Sequence, residues 1–142
     1  MPIKLQPCVS IYKAIRTGVY FVQPYTIGSV ASTQFGDPTV IQPDEFDARM
    51  AGAVVTNLEK FGKERFDPAK AKKRSVEQQR QFLKDHLGVT VELLDSGSMM
   101  IGALHREGGG MVGSDDDTFI LSKEETPQKL VLTIAEAFNR AT

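Results

Sequence analysis

A chain of 142 residues, 41% hydrophobic and 25% charged, has the size and composition of one globular domain, so residues 1–142 are read as a single unit. Those proportions exclude a disordered, collagenous or coiled-coil chain. Seventeen basic against eighteen acidic side chains leave a net charge of -1, unlike the strongly basic balance of a general nucleic-acid binder.

The first local signal is a hairpin. Val9, Ile11, Lys13 and Ile15 alternate with Ser10, Tyr12 and Ala14, the period of a strand with one buried face. Arg16-Thr17-Gly18 supplies the turn, and Val19 to Val22 return as a second strand. From Pro24 to Pro43 the chain is rich in Ser, Thr, Gly and Pro. This stretch reads as a long surface connection with one short strand at Thr39 to Ile41.

Pro43 to Phe61 reads as a helix. Pro43 suits a first helical position, and Asp44, Glu45 and Asp47 suit the positive end of the helix dipole. Phe46, Met50, Ala53, Val54, Leu58 and Phe61 form one apolar stripe, and Gly62 provides a stop. After a basic linker, Lys63 to Arg74, Ser75-Val76-Glu77-Gln78 has the spacing of a capping box. The helix it opens is expected to bury Val76, Gln79, Leu83 and Leu87 and to end at Gly88.

Thr90 to Leu94 and Met99 to Leu104 predict a second hairpin around Asp95-Ser96-Gly97-Ser98. A Gly-rich loop, Glu107 to Gly113, then leads past Asp115, Asp116 and Asp117 to a short strand at Phe119 to Leu121. Ser122-Lys123-Glu124-Glu125 is another capping box. Leu130, Val131, Ile134, Ala135 and Phe138 give the closing helix its core face. The order β-β-α-α-β-β-β-α predicts an α+β fold, a mainly antiparallel sheet of about five strands with three main helices.

Chemistry-bearing patterns are sparse. Cys8 is the only cysteine; it cannot form an internal disulfide, suits a reducing compartment, and reads as a small buried apolar residue. His86 and His105 do not make a zinc site, and no C-x-x-C or H-E-x-x-H spacing accompanies them. The glycines of 107–113 lack the lysine of a P-loop and run into three carboxylates that would repel a phosphate. Those adjacent aspartates also lack the alternating ligand spacing of a calcium loop. No metal, cofactor or catalytic residue is therefore expected. No apolar run approaches the ~18 residues of a membrane span and no signal-peptide core is present, so the expected location is the cytoplasm.

Charge is strongly segregated. Lys60 to Lys84 holds nine bases and three acids, whereas Asp85 to Glu125 holds nine acids and two bases. The acidic block could steer a basic protein partner. The basic block offers a rival reading as an RNA-binding module, and Cys8 or a histidine beside carboxylates a second rival as a small enzyme of unknown type. A third is an oligomerisation domain using a second apolar face of the Pro43–Phe61 helix.

Ser75-x6-Phe82-Leu83-Lys84, Val89-Thr90-Val91, Met100-Ile101-Gly102, the Gly-rich loop, Phe119-Ile120-Leu121-Ser122 and Ile134-Ala135-Glu136-Ala137-Phe138 occur in succession. With the opening Val9-Ser10-Ile11-Tyr12 and Val19-Tyr20-Phe21-Val22, this succession resembles the immunity proteins of bacterial contact-dependent growth inhibition systems (CdiI type). The resemblance spans most of the chain outside Pro24 to Pro43 and rests on hydrophobic spacings. It implies a small cytoplasmic protein, monomeric within a heterodimer. Such a protein binds the C-terminal toxin domain of a large exported effector (CdiA type), often a nuclease, and occludes its active or substrate-binding site. It implies no catalytic residues, cofactor, membrane contact or direct nucleic-acid contact. Combined with the charge map, it gives Glu92, Asp95, Glu107, Asp115, Asp116 and Asp117 as the expected toxin-contacting carboxylates. Arg106 and Tyr25 are the expected anchors, since arginine and tyrosine often dominate binding energy.

Overall fold

A computed structural model describes residues 5–27, 32–34, 36–63, 75–108 and 110–142. In chain order the elements are β1 (Cys8–Ala14), β2 (Tyr20–Ile27), β3 (Ser32–Gln34), β4 (Thr39–Ile41), a short 3-10 turn (Pro43–Glu45), α1 (Phe46–Glu59), α2 (Val76–Asp85), β5 (His86–Leu93), β6 (Met99–Glu107), β7 (Gly110–Leu121) and α3 (Thr126–Arg140). The fold is α+β with three main helices and one antiparallel sheet. The strand order is β3-β2-β1-β5-β6-β7, and β4 also pairs with β2. The expected strands are all present, and the long connection adds β3.

The sheet is assembled around β1. On one side Ile11 pairs with Val22 of β2, and on the other with Val89 of β5. Side chains alternate across a strand, so this register puts Val9, Ile11, Val22, Val89, Val91 and Ile101 on one face, all buried. Helices α1 and α3 cover that face. α1 lies over β1, β2 and β4, α3 over β5, β6 and β7, and the two helices touch. The stripe read in the sequence is the one that packs: Phe46, Met50, Val54 and Leu58 from α1 meet Leu130, Ile134 and Phe138 from α3.

A buried polar residue also fixes α1. Asn57 is fully buried, and its Nδ2 donates to Thr39 Oγ1 at 3.0 Å and to the Ala53 carbonyl at 2.8 Å. The helix is thereby tied to β4, which is also held by its pairing with β2 and by the buried Ile41. The apolar stripe gave no hint of this residue because an asparagine on a helix reads as solvent-facing.

Both expected capping boxes form. Gln78 N donates to Ser75 Oγ and Ser75 N to Gln78 Oε1; Ser122 and Glu125 exchange the same pair. The Glu125 carboxyl is held down at about 2, first by Lys129 and then by the Ser122 backbone N–H.

Three boundaries and one burial assignment differ from the sequence reading. The second strand continues through Pro24 to Ile27. Pro24 falls between the stretch of β2 that pairs with β4 and the stretch that pairs with β3, where a missing N–H removes no outer ladder bond. Helix α2 stops at Asp85, three residues before Gly88, because His86 to Gly88 are taken by β1 as sheet partners. Val76 is 70% exposed, and Leu83 is the buried residue of α2. Finally, most of the Gly-rich loop and the aspartates belong to β7, which runs for twelve residues along β6. The register breaks once, between Gly102 and Leu104, so that Ser114 to Asp117 bulge opposite Ala103.

Residues 64–74, which include most of the basic linker and five of the nine bases of the Lys60–Lys84 segment, lie outside the described residues. No helix among the described residues is long and apolar enough to cross a membrane.

Replacing Asn57 by Ala removes both side-chain hydrogen bonds and leaves a small void. We expect a loss of about 1–3 kcal/mol of unfolding free energy, measured by urea denaturation, with faster hydrogen exchange in β4.

Candidate functional site

The second face of the sheet carries Cys8, Ser10 and Tyr12 from β1, Tyr25 from β2, Thr90 and Glu92 from β5, and Met100, Gly102 and Leu104 from β6. Among the described helices only α2 packs here, and it covers one end. Phe82 stands edge-on to Tyr12 at 4.8 Å between ring centroids and stacks on His86 at 4.0 Å. Gly88 lies beneath the same corner. A Cβ there would come within 2.8 Å of Met111 Sδ and 3.0 Å of Leu104 Cδ1, so a glycine lets the start of β7 fold down onto β5.

Away from α2 the face is polar and aromatic. Ser10 Oγ and Tyr25 Oη are 2.8 Å apart, and Gln34 Nε2 donates to Tyr12 Oη at 2.8 Å and Tyr25 Oη at 3.3 Å. Strand β3, missed in the sequence, delivers Gln34 opposite Tyr25. Burial, followed by the neighbouring Tyr25, pushes the Tyr12 hydroxyl up to about 12. Thr90 and Thr118 flank Gly102, where a Cβ would lie 3.4 Å and 3.5 Å from their hydroxyl oxygens. Glu92 faces the same way two strands from Tyr25, about 10 Å at ordinary strand spacing. Two of the expected contact residues, Tyr25 and Glu92, thus share one surface.

The other expected contacts are distributed. Asp95 lies in the exposed β5–β6 turn, and Glu107 is exposed where β6 turns into β7. Asp115 and Asp116 are exposed in the β7 bulge, at the edge of the sheet. Asp117 has a different neighbourhood: its Oδ2 is 2.7 Å from His105 Nε2, and its Oδ1 is 3.4 Å from Arg140 Nη1. His105 Nδ1 in turn lies 2.7 Å from Thr142 Oγ1, and Thr142 N donates to the Leu104 carbonyl. This chain of contacts fastens the bulge and the end of α3 to β6. Arg106 is likewise engaged within the molecule, donating to the Leu83 and Lys84 carbonyls at 3.1 Å each. A guanidinium there satisfies carbonyls that the end of α2 leaves without helical partners.

Cys8 is half-buried at the start of β1, opposite Glu92. His86 Nδ1 contacts the Phe82 carbonyl at 2.8 Å. Among the described residues no three His, Cys, Asp or Glu side chains converge to hold a metal ion.

No protein-family model and no curated protein matches the chain. Among solved structures, it is similar to a protein of unknown function from Neisseria meningitidis. The two are 14% identical, the match covers 100% of each chain, and the TM-score is 0.72. That likeness shows a shared fold.

Because Tyr12 holds its proton more tightly folded than unfolded, its contribution to stability is complete below pH 10 and lost as the pH rises through about 12. We expect a late phenol in an absorbance titration that Tyr12→Phe abolishes, and a decline in stability over that window which the variant lacks.

Proposed function

We propose that this protein is an immunity protein, a cytoplasmic inhibitor that binds and neutralises the C-terminal toxin domain of a contact-dependent growth inhibition effector. The observation that carries the reading is the exposed carboxylate line of Glu107, Asp115 and Asp116 on the turn and edge of β6–β7. In the same sheet Glu92 lies two strands in from that edge and Tyr25 four, both on the face away from α1 and α3. A domain that cuts nucleic acid must present cations to phosphates. A row of carboxylates on a rigid edge meets those cations, steers the encounter and occupies the substrate path.

In this reading Asp115 and Asp116 supply the long-range attraction, Glu107 extends it around the turn, and Glu92 with Tyr25 contacts the partner across the sheet. Asp95 lies at the far end of the β5–β6 hairpin and marks the limit of the surface. Asp117 and Arg106 act indirectly, the first by holding the bulge and the second by holding α2. The protein works by occupying a surface, with no covalent step of its own.

The test is binding to the C-terminal toxin domain encoded beside this chain in its genome. The expected result is a one-to-one complex that abolishes toxin activity. In the Asp115→Asn/Asp116→Asn double variant, association at low salt should slow by about tenfold and its salt dependence should flatten. Asp117→Asn should lower stability more than it lowers the association rate. Absence of a complex at about micromolar concentrations would overturn the proposal.

A further inference from the structure

Helix α2 is embedded far less deeply than α1 or α3. Of its ten residues only Leu83 is buried; Gln79 and Phe82 are half-buried and the rest are exposed. A helix this short is marginal in water without tertiary support, and the capping box at Ser75 serves its first turn. Its last turn is held from the sheet in two ways. Backbone fixes the very end: α2 runs into β5 without a loop, the Asp85 carbonyl accepts from Ile15 N at 2.8 Å, and His86 pairs with Ala14. Side chains hold the residues just before it. Arg106 Nη1 donates to the Leu83 and Lys84 carbonyls, and His86 Nδ1 lies 2.8 Å from the Phe82 carbonyl. The Phe82 ring stacks on His86 and stands edge-on to Tyr12.

We propose that α2 is a latch that opens as one unit while the sheet stays folded, with Asp85–His86 as its pivot and Arg106, Phe82 and Leu83 as its clasp. The division of contacts carries this. The pivot belongs to the register of β1 and β5, whose strands also bury Ile11 and Val89 in the core. The clasp is an exposed guanidinium, one ring stack and one buried leucine. Once it releases, the ten residues lose what keeps them helical, so α2 unwinds as it leaves. Global unfolding must instead part β1 from both neighbours and empty the core beneath α1 and α3. An element held so lightly opens at a fraction of the global free energy. Opening uncovers the Tyr12 and His86 rings that Phe82 covers and extends the second face of the sheet. A ligand that prefers the uncovered face draws α2 open only by its differential affinity for the two states.

The latch is a property of the chain alone and stands or falls without the toxin. Native-state hydrogen exchange of the labelled full chain tests it. After correction for intrinsic rates, the amides of residues 80–85 should exchange at least about a hundredfold faster than those of Val89 and Val91. Urea below the global transition should barely change the α2 rates, because the local opening exposes little surface. Two variants separate the events. Asn57→Ala, far from α2, should speed the Val89 and Val91 amides at least about fivefold and leave the α2 amides unchanged. Arg106→Ala should speed the α2 amides about tenfold by removing both carbonyl bonds. If either variant fails to fold, the wild-type rates and their urea dependence still decide. No protection in α2, wild-type rates equal to those of Val89 and Val91, an equal response of both sets to Asn57→Ala, or no response of α2 to Arg106→Ala would overturn the proposal.

Discussion

The pairing of β1 with two strands from distant parts of the chain is the constraint on which the rest of the structure depends. Ile11 stands opposite Val22 on one side and Val89 on the other, so a single register sets which face of five neighbouring strands meets the helices. A slip of one residue would exchange Ile11 for Ser10 or Tyr12 and turn the apolar set to the second face. The second face follows from that register: Ser10 and Tyr12, both buried, and the half-buried Tyr25 and Glu92 are the complement of the core face.

The acidic block of the sequence is not one patch in space. Antiparallel pairing sends Asp95 to one end of the β5–β6 hairpin and Glu107 to the other, while the bulge in β7 lifts Asp115 and Asp116 outward. Three consecutive aspartates consequently acquire two roles. The exposed pair contributes an outward field, and Asp117 is hydrogen-bonded with His105 and ion-paired with Arg140. The bulge and its charges also suit an edge strand of this length, since both disfavour indiscriminate pairing with other chains.

Polar residues do much of the fastening between layers. Asn57 ties α1 to β4, Arg106 closes the end of α2, and the His105–Thr142 contact secures the end of α3. Each acts at the end of an element, where backbone groups lack regular partners. The apolar core provides most of the burial, and these contacts set where the elements stop.

Local pattern by itself determined the α+β class, the core stripes of α1 and α3, both Ser-initiated caps and the turn at Asp95 to Ser98, because each depends on residues within a few positions of one another. Tyr25 and Glu92 are named from the resemblance and the charge map, and only the register shows that they share a face. Tertiary structure alone decided that Gly88 is sheet and not a helix stop, since the competing partner, Tyr12, is far away in sequence. It decided that a glycine-rich acidic stretch is strand, because β6 pairs with it on both sides of the bulge. The inward engagement of Asp117 and Arg106, and the meeting of Tyr20, Phe46 and Phe138, likewise had no local signature. A side chain's partner across a fold is fixed by sheet register and helix docking, and neither is written in the spacing of its neighbours.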